Sequence, residues 1–236
     1  MLESNWVKVD GISTHYLVSG EGPPLIMIAG GGAVTAEREW APNLQVLAKQ
    51  HTIYAPDLAG YGKSDKPIVD YTHRFFNEFF DDLIAELGIE STSLMGHSLG
   101  GGIALSYTLN HPEKVNKLIL IDSAGFSNEI GLMGRLITPF FKIASHLKKN
   151  STYLSLMSSG NDKGTYEIYM DRLHEIECPT LILWGEWDGY VPVKLAYQAQ
   201  QRLKNSELHV FKRGWHAPHR EKPERFNRLV LDFLAQ

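Results

Sequence analysis

The sequence predicts an α/β fold in which a mostly parallel, doubly wound sheet carries helices on both faces. Short continuous apolar runs, typical of strands buried on both sides, alternate along the chain with longer segments of helical periodicity. The chain of 236 residues has the length of one domain with a substantial core, and its 43% of hydrophobic residues is ordinary for a globular protein.

The individual elements follow from these patterns. An N-terminal hairpin is indicated where Trp6–Asp10 and Thr14–Ser19 alternate around the turn residues Asp10 and Gly11. The later apolar runs predict parallel strands at Leu25–Ala29, Thr52–Ala55, Thr92–Met95, Leu118–Ile121, Leu181–Trp184 and Leu208–Phe211. Helical periodicity predicts helices at Trp40–Lys49, His73–Leu87, Leu99–Asn110, Val193–Leu203 and Pro223–Ala235.

Composition and charge argue against several classes of function. A net charge of −4 is unfavourable for a surface that binds polyanions, so we expect no nucleic-acid partner. The single cysteine, Cys178, rules out an internal disulfide, and its place before a predicted strand favours an inert, packed thiol. The N-terminal residues lack the features of a signal peptide, and the apolar runs are too short to span a bilayer. We therefore expect a cytoplasmic protein with no membrane partner.

The most informative segment is Gly96-His97-Ser98-Leu99-Gly100, which joins a predicted strand to a predicted helix. The sharp turn leaves no room for side chains at its two glycines, so Ser98 is placed at the tip near the positive end of the helix. This pattern is typical of a nucleophilic serine. A glycine-rich turn with a passive serine is the alternative that the five residues alone leave open.

A serine nucleophile needs a histidine base, and that histidine needs a carboxylate to orient it. Asp188 follows the predicted strand that ends at Trp184 and Gly185, and His216 follows the last predicted strand. Both positions lie where the carboxyl ends of parallel strands bring side chains together. The order Ser98, Asp188, His216 therefore predicts a catalytic triad.

These motifs resemble those of the α/β-hydrolase superfamily along nearly the full chain. The segments that carry the resemblance are the serine turn, Pro24–Gly32, Asp57–Asp65, Leu118–Asp122, Trp184–Asp188 and His216–Pro223. Two positions depart from the family pattern: Ala29 replaces the usual histidine of the oxyanion loop, and Trp215 replaces a frequent glycine before the catalytic histidine.

The resemblance implies the α/β-hydrolase fold with a short helical lid. Residues 1–126 and 179–236 would form the core, and Ser127–Cys178 the lid, with Leu136, Phe140 and Phe141 facing the substrate pocket. It also implies an oxyanion hole formed by the backbone N–H groups of Gly31 and Leu99, or of Gly32 if the register shifts by one. Asp122 is the rival for the role of orienting acid, because some relatives place their acid after that strand.

Other motifs carry less. Gly60–Ser64 ends like a phosphate-binding loop but lacks its first glycine, and Asp57 more simply organises that turn. Gly30–Gly32 lacks the spacing of a dinucleotide site. His216 and His219 are three residues apart without a third metal ligand nearby in sequence, so we expect no zinc site, and His219 should form local hydrogen bonds.

We therefore expect a serine carboxylesterase for small to medium acyl esters that needs no metal or cofactor and acts as a monomer or small homo-oligomer. The triple glycine also resembles that of hydrolases that cleave carbon–carbon bonds in ring-fission products. Those enzymes usually carry Asn before the nucleophile and Trp after the catalytic histidine, where this chain has His97 and Ala217. A ligand-sensing protein without catalysis is the third alternative.

Overall fold

An eight-stranded sheet forms the centre of the molecule, with strand order β1-β2-β4-β3-β5-β6-β7-β8. The computed structural model describes residues 1–32, 35–127, 131–133, 136 and 167–236. The strands are β1 (Glu3–Val9), β2 (Ile12–Ser19), β3 (Pro24–Ile28), β4 (Thr52–Pro56), β5 (Thr92–His97), β6 (Val115–Ile121), β7 (Thr180–Gly185) and β8 (Ser206–Phe211). β1 and β2 pair antiparallel, as do β2 and β4, and the remaining neighbours are parallel.

Helices cover both faces of this sheet. They are α1 (Ala36–Trp40), α2 (Leu44–Leu47), α3 (His73–Glu86), α4 (Leu99–Asn110), α5 (Lys194–Arg202), α6 (Pro218–Glu221) and α7 (Pro223–Leu234). One apolar core gathers buried side chains of α3, α4 and α5, and the second gathers those of α1, α2 and α7. The two cores lie on opposite faces, which confirms the predicted doubly wound α/β architecture.

The predicted helix Trp40–Lys49 is wrong in detail, because the structure has two shorter helices there. Helix α1 ends at Trp40, and α2 begins at Leu44. Pro42 lies between them and has no N–H to donate to a helical carbonyl, so the chain turns at that point. The four helices predicted at His73, Leu99, Val193 and Pro223 each match the observed bounds to within one residue.

The predicted lid segment Ser127–Cys178 falls largely outside the described residues. A 3-10 helix at Met170–Glu175 lies in its described part. The Tyr169 N–H donates to the Gly125 carbonyl at 2.7 Å, and Met170 and Leu173 are buried in the α3–α4 core. The last part of the segment therefore packs with the body of the fold. None of the helices in the described ranges is long and apolar enough to cross a bilayer.

A second Ser–His–Asp series anchors the N-terminal hairpin. Ser4 Oγ lies 2.6 Å from His15 Nε2, and His15 Nδ1 lies 2.9 Å from Asp57 Oδ2. The Asp57 carboxylate also accepts the backbone N–H groups of Ala36 at 2.6 Å and Lys63 at 3.0 Å. Asp57 therefore organises its turn, as the sequence predicts, and ties β2 to the loops beside it.

The first turn of α4 packs directly on the backbone of β3. A Cβ atom at Gly100 would overlap the carbonyl oxygen of Ile28, whereas one at Gly102 would lie 3.5 Å from the nearest atom, in Ala124. Only glycine allows this close approach, and the approach fixes where the helix begins.

We predict that Gly100→Ala lowers the free energy of unfolding by about 2–3 kcal/mol, because overlap with a strand carbonyl must be relieved by a backbone shift. The matched control is Gly102→Ala in the same helix, which should be neutral or stabilising by up to about 1 kcal/mol, since alanine favours a helix interior. Urea denaturation of both variants measures the difference. Equal stability of the two variants would contradict the packing argument.

The free energy of unfolding should also decrease in acid, because His73 is buried at the start of α3. Burial lowers the pKa of His73 from 6.5 to about 4, against an opposing influence of Glu167. Between these values the unfolded chain binds a proton that the folded chain does not, so stability decreases as pH falls from 6.5 toward 4. The loss from this residue is on the order of 3 kcal/mol.

His73→Gln should therefore flatten the dependence of unfolding free energy on pH in that window. Denaturant melts at several pH values measure the slope for the wild type and the variant. An unchanged slope would show that His73 is not a source of the acid sensitivity.

Candidate active site

Ser98 occupies a strained turn between β5 and α4. Its backbone angles, φ of 50° and ψ of −114°, lie in a region that residues other than glycine rarely adopt. The turn is held by the Ser98 N–H, which donates to the Ile121 carbonyl at 2.9 Å, and by the Ser98 carbonyl, which accepts the N–H of Ala124 at 2.9 Å. The strain is therefore maintained by hydrogen bonds to β6 and to the loop after it.

The structure brings the three predicted triad residues into one hydrogen-bonded series. Ser98 Oγ lies 3.1 Å from His216 Nε2, and His216 Nδ1 lies 2.8 Å from Asp188 Oδ2. These residues are separated by 118 and 28 positions in the chain. The imidazole thus has a carboxylate on one nitrogen and a hydroxyl on the other, which is the arrangement that lets it accept the serine proton.

The Asp188 carboxylate is fixed on both of its oxygens. Oδ2 faces His216, while Oδ1 accepts the N–H of Tyr190 at 2.7 Å and that of Val191 at 3.0 Å. The side chain is fully buried. Backbone donors therefore stabilise its negative charge and leave one oxygen directed at the histidine.

Asp122, the rival acid, occupies a neighbouring but different position. Its Oδ1 accepts the Gly185 N–H at 2.9 Å, and the residue is completely buried. Burial raises the pKa of Asp122 well above its usual range, and the nearby charge of Asp188 raises it further. The raised pKa disfavours the negative charge that an imidazolium partner needs, so the geometry and the charge both favour Asp188.

The backbone around His216 is held by two side chains. Glu221 accepts the Trp215 N–H at 2.8 Å and the Ala217 N–H at 3.2 Å, so its carboxylate binds the backbone on both sides of His216. The carbonyl oxygen of His216 lies 2.6 Å from His97 Nε2. Trp215 is 54% exposed, which explains how this loop accommodates a tryptophan in place of the family's frequent glycine.

A buried cluster that the sequence analysis missed lies directly behind the triad. Glu39 Oε1 lies 2.6 Å from His97 Nδ1 and 3.4 Å from His219 Nε2. His219 was expected to form local hydrogen bonds through its side chain, but neither ring nitrogen has one among the described residues. The sequence offered one signal for this cluster, the acidic residue Glu39 beside Trp40 on the short helix α1. That signal did not show that His97 and His219 are its neighbours.

These side chains could in principle bind a metal, since the ligand atoms of Glu39, His97 and His219 lie within 4.8 Å of one another. Two ligands of a tetrahedral zinc ion are separated by about 3.3 Å, as follows from metal–ligand distances near 2.0 Å. The 2.6 Å between Glu39 Oε1 and His97 Nδ1 is instead a hydrogen-bond distance. The same holds for His216 and Asp188, whose ring nitrogen and carboxylate oxygen are 2.8 Å apart.

The structure describes the predicted oxyanion residues and one of the three predicted pocket residues. Leu99 is the first residue of α4, so its N–H has no helical acceptor. The glycine loop approaches the same turn, since a Cβ at Gly30 would lie 3.4 Å from Ser98 Cβ, with Gly31 and Gly32 following it. Of the predicted pocket residues, Leu136 is 65% exposed, and Phe140 and Phe141 lie outside the described residues.

Comparison with known proteins decides the family. The family model for the alpha/beta hydrolase fold matches residues 23–143, just over half of the chain. The chain belongs to the α/β-hydrolase family. The strand order and the serine turn described above agree with that assignment, and hydrolysis is the activity that it supports.

Curated relatives cover nearly the whole chain. The chain is 32% identical to a 2-hydroxymuconate semialdehyde hydrolase of Pseudomonas sp. strain CF600, over 96% of this chain and 92% of the relative. It is 28% identical to a 2-hydroxy-6-oxo-6-(2'-aminophenyl)hexa-2,4-dienoic acid hydrolase of Metapseudomonas resinovorans, over 98% and 90%. Among solved structures, a serine hydrolase involved in carbazole degradation is 27% identical with a TM-score of 0.85, covering 100% of this chain and 99% of that one.

We predict that Asp188→Asn lowers kcat/KM by about 10²–10⁴-fold, because the amide favours the wrong histidine tautomer. Asp122→Asn is the matched control, since asparagine replaces a carboxyl whose charge is disfavoured by burial and retains an oxygen for the Gly185 N–H. Its activity should change less than about tenfold, the effect of a lost neutral hydrogen bond. Circular dichroism verifies folding of both variants. A larger loss in Asp122→Asn than in Asp188→Asn would assign the acid to Asp122.

Proposed function

We propose that this protein is a serine hydrolase that cleaves carboxylic esters with small to medium acyl chains through an acyl-enzyme on Ser98. The observation that carries the proposal is the hydrogen-bonded series Ser98–His216–Asp188 on a strained turn at the start of α4. A passive serine turn would not need a histidine and a buried carboxylate in line with its hydroxyl.

In the proposed mechanism His216 Nε2 takes the proton of Ser98 as Oγ attacks the ester carbonyl carbon. Asp188 stabilises the resulting imidazolium through Nδ1–H. His216 then gives that proton to the leaving alcohol, and the acyl group remains on Ser98. A water molecule, activated by the same imidazole, attacks the acyl-enzyme and releases the carboxylic acid with Ser98 restored.

The negative charge on the carbonyl oxygen would be met by backbone N–H groups of Leu99 and Gly31, or of Gly32 in the shifted register. The free N–H at the start of α4 supports the first of these, because helix N-termini favour anions. Each such donor contributes roughly 3–4 kcal/mol of transition-state stabilisation in enzymes of this chemistry.

Residues 127–178 would form a lid over this site, with residues 1–126 and 179–236 as the core, and Leu136, Phe140 and Phe141 as candidates for contact with the acyl group. A cover over the catalytic turn would exclude water and strengthen the electrostatic interactions below it.

A second candidate function is hydrolysis of a carbon–carbon bond in a ring-fission product. The names of the relatives favour it, since they describe hydrolases of 2-hydroxymuconate semialdehyde and of a 2-hydroxy-6-oxo-hexadienoic acid. Two residues favour the ester. His97 has both ring nitrogens engaged by Glu39 and His216, which leaves none for a substrate, and Ala217 offers no polar or aromatic contact.

The decisive experiment compares kcat/KM for p-nitrophenyl esters of increasing acyl length with kcat/KM for a vinylogous ring-fission diketone. We expect the ester series to peak at short or medium chains and to exceed the diketone. The reverse order would assign carbon–carbon hydrolysis. Failure of both substrates with a folded protein would favour a ligand-sensing role, which a shift in melting temperature on ligand binding would then test.

Ser98→Ala should reduce turnover at least about 10³-fold without loss of folding, because the residues of a triad act as a unit. Ser4→Ala is a matched control, since Ser4 also bonds to a histidine that bonds to an aspartate. It should keep wild-type turnover. Full activity of Ser98→Ala would remove Ser98 as the nucleophile.

A further inference from the structure

His97, the residue before the proposed nucleophile, is buried between two hydrogen-bond acceptors. Its Nδ1 lies 2.6 Å from Glu39 Oε1, and its Nε2 lies 2.6 Å from the carbonyl oxygen of His216. Neither a carboxylate nor a carbonyl oxygen can donate a proton. With Glu39 ionised, both ring nitrogens therefore carry a proton, and the ring is an imidazolium.

The surrounding charges agree with that protonation state. Burial raises the pKa of Glu39, but the positive charge and the hydrogen bond of His97 outweigh it and hold the pKa well below its usual range. Burial lowers the pKa of His97, but Glu39 and the His216 carbonyl outweigh it and raise the pKa. Glu39 is therefore an anion, and the His97 side chain, which is 8% exposed, is a cation buried with it.

The remaining groups around the pair do not change this assignment. Burial lowers the pKa of His219 to about 4, so this ring is neutral near pH 7. Arg220 Nη1 lies 3.5 Å from Glu39 Oε2, on the side away from His97 Nδ1. Asp188 adds a negative charge in the vicinity and favours the His97 cation further.

The His97 cation also lies next to the proposed catalytic base. The ring centroids of His97 and His216 are 4.9 Å apart. Glu39 contacts Nδ1 of His97, whereas Nε2 contacts the His216 carbonyl. Of the two charged residues, His97 is therefore the one nearer to His216. The hydrogen bond from His97 Nε2 to the His216 carbonyl is therefore charge-assisted, and bonds of that kind are stronger than neutral ones.

We propose that His97 is a positioning residue for His216. As a buried imidazolium paired with Glu39, it ties the loop of the base to the end of β5 beside Ser98 through a charge-assisted hydrogen bond to the His216 carbonyl. The proposal rests on the proposed function in one respect, namely that His216 is the base. The protonation state of His97 does not depend on that assignment.

The charge state is measured directly by long-range ¹H–¹⁵N NMR of the wild-type protein with ¹⁵N-labelled histidine. Substitution of His97 by glutamine assigns its signals. We expect both ring nitrogens of His97 to show cationic shifts at pH 7.5, and Glu39→Gln to make the ring titrate to the neutral form by that pH. Neutral ring shifts for His97 in the wild type would overturn the proposal.

The effect on the position of the base is measured by the rate of Ser98 phosphonylation at pH 7.5. In that reaction Ser98 Oγ attacks the phosphorus of an alkyl fluorophosphonate, fluoride leaves, and His216 takes the hydroxyl proton. Intact-mass spectrometry follows the rate without knowledge of the natural substrate. We expect His97→Gln to lower the rate by about tenfold, because glutamine cannot supply a charged donor to the His216 carbonyl.

His15→Gln is the matched control, since His15 is another buried histidine paired with a carboxylate, Asp57. It lies on β2, three strand spacings or roughly 14 Å from β5. It should lower stability and leave the rate of phosphonylation unchanged. An equal loss of rate in the two variants, or an unchanged rate in His97→Gln, would overturn the proposal. Phosphonylation that persists in Ser98→Ala would instead overturn the proposed function and leave the NMR result standing.

Discussion

The site depends on one constraint, the close approach of the α4 backbone to the ends of β3 and β5. Glycine at position 100 lets the first turn of the helix lie on the Ile28 carbonyl. The chain can then pass from strand to helix within one residue, and Ser98 takes the positive φ that this requires. A longer connection would relieve the strain, but it would also move the hydroxyl away from the helix N-terminus and from His216. The backbone therefore positions the side chain before any polar contact is made.

His216, the proposed base, is held by hydrogen bonds from residues of several separate chain segments. Asp188 contacts its Nδ1, Ser98 lies at its Nε2, and His97 binds its carbonyl oxygen. Glu221 fixes the N–H groups on both sides of it. The loop between β8 and α6 is otherwise irregular, so these bonds replace the order that a helix or strand would supply. The ring can move a proton while its backbone stays in place.

The sequence predicts those parts of the structure that depend on local pattern. Apolar periodicity located the parallel strands, and the order of Ser98, Asp188 and His216 located the three residues that meet. The split between α1 and α2 was missed because helical periodicity continues through Pro42, which lacks the required N–H. The Glu39–His97 pair was missed because its members are 58 positions apart and come together only through the packing of α1 on the sheet. An acidic residue on a short helix carries no local mark of a buried partner.

A hydrogen-bonded Ser–His–Asp series does not by itself identify a nucleophilic serine, as the two such series of this chain demonstrate. Ser4 lies in the extended backbone of β1, whereas Ser98 precedes a helix in a strained turn. Asp57 also uses its carboxylate to bind the N–H groups of Ala36 and Lys63, which joins loops together. Asp188 accepts the backbone N–H groups that follow it in its own loop on one oxygen and faces His216 with the other. A helix N-terminus beside the hydroxyl stabilises a developing oxyanion, and a mid-strand serine has no such neighbour in its own element. The same three residue types thus anchor a hairpin in one setting and form the proposed catalytic series in the other.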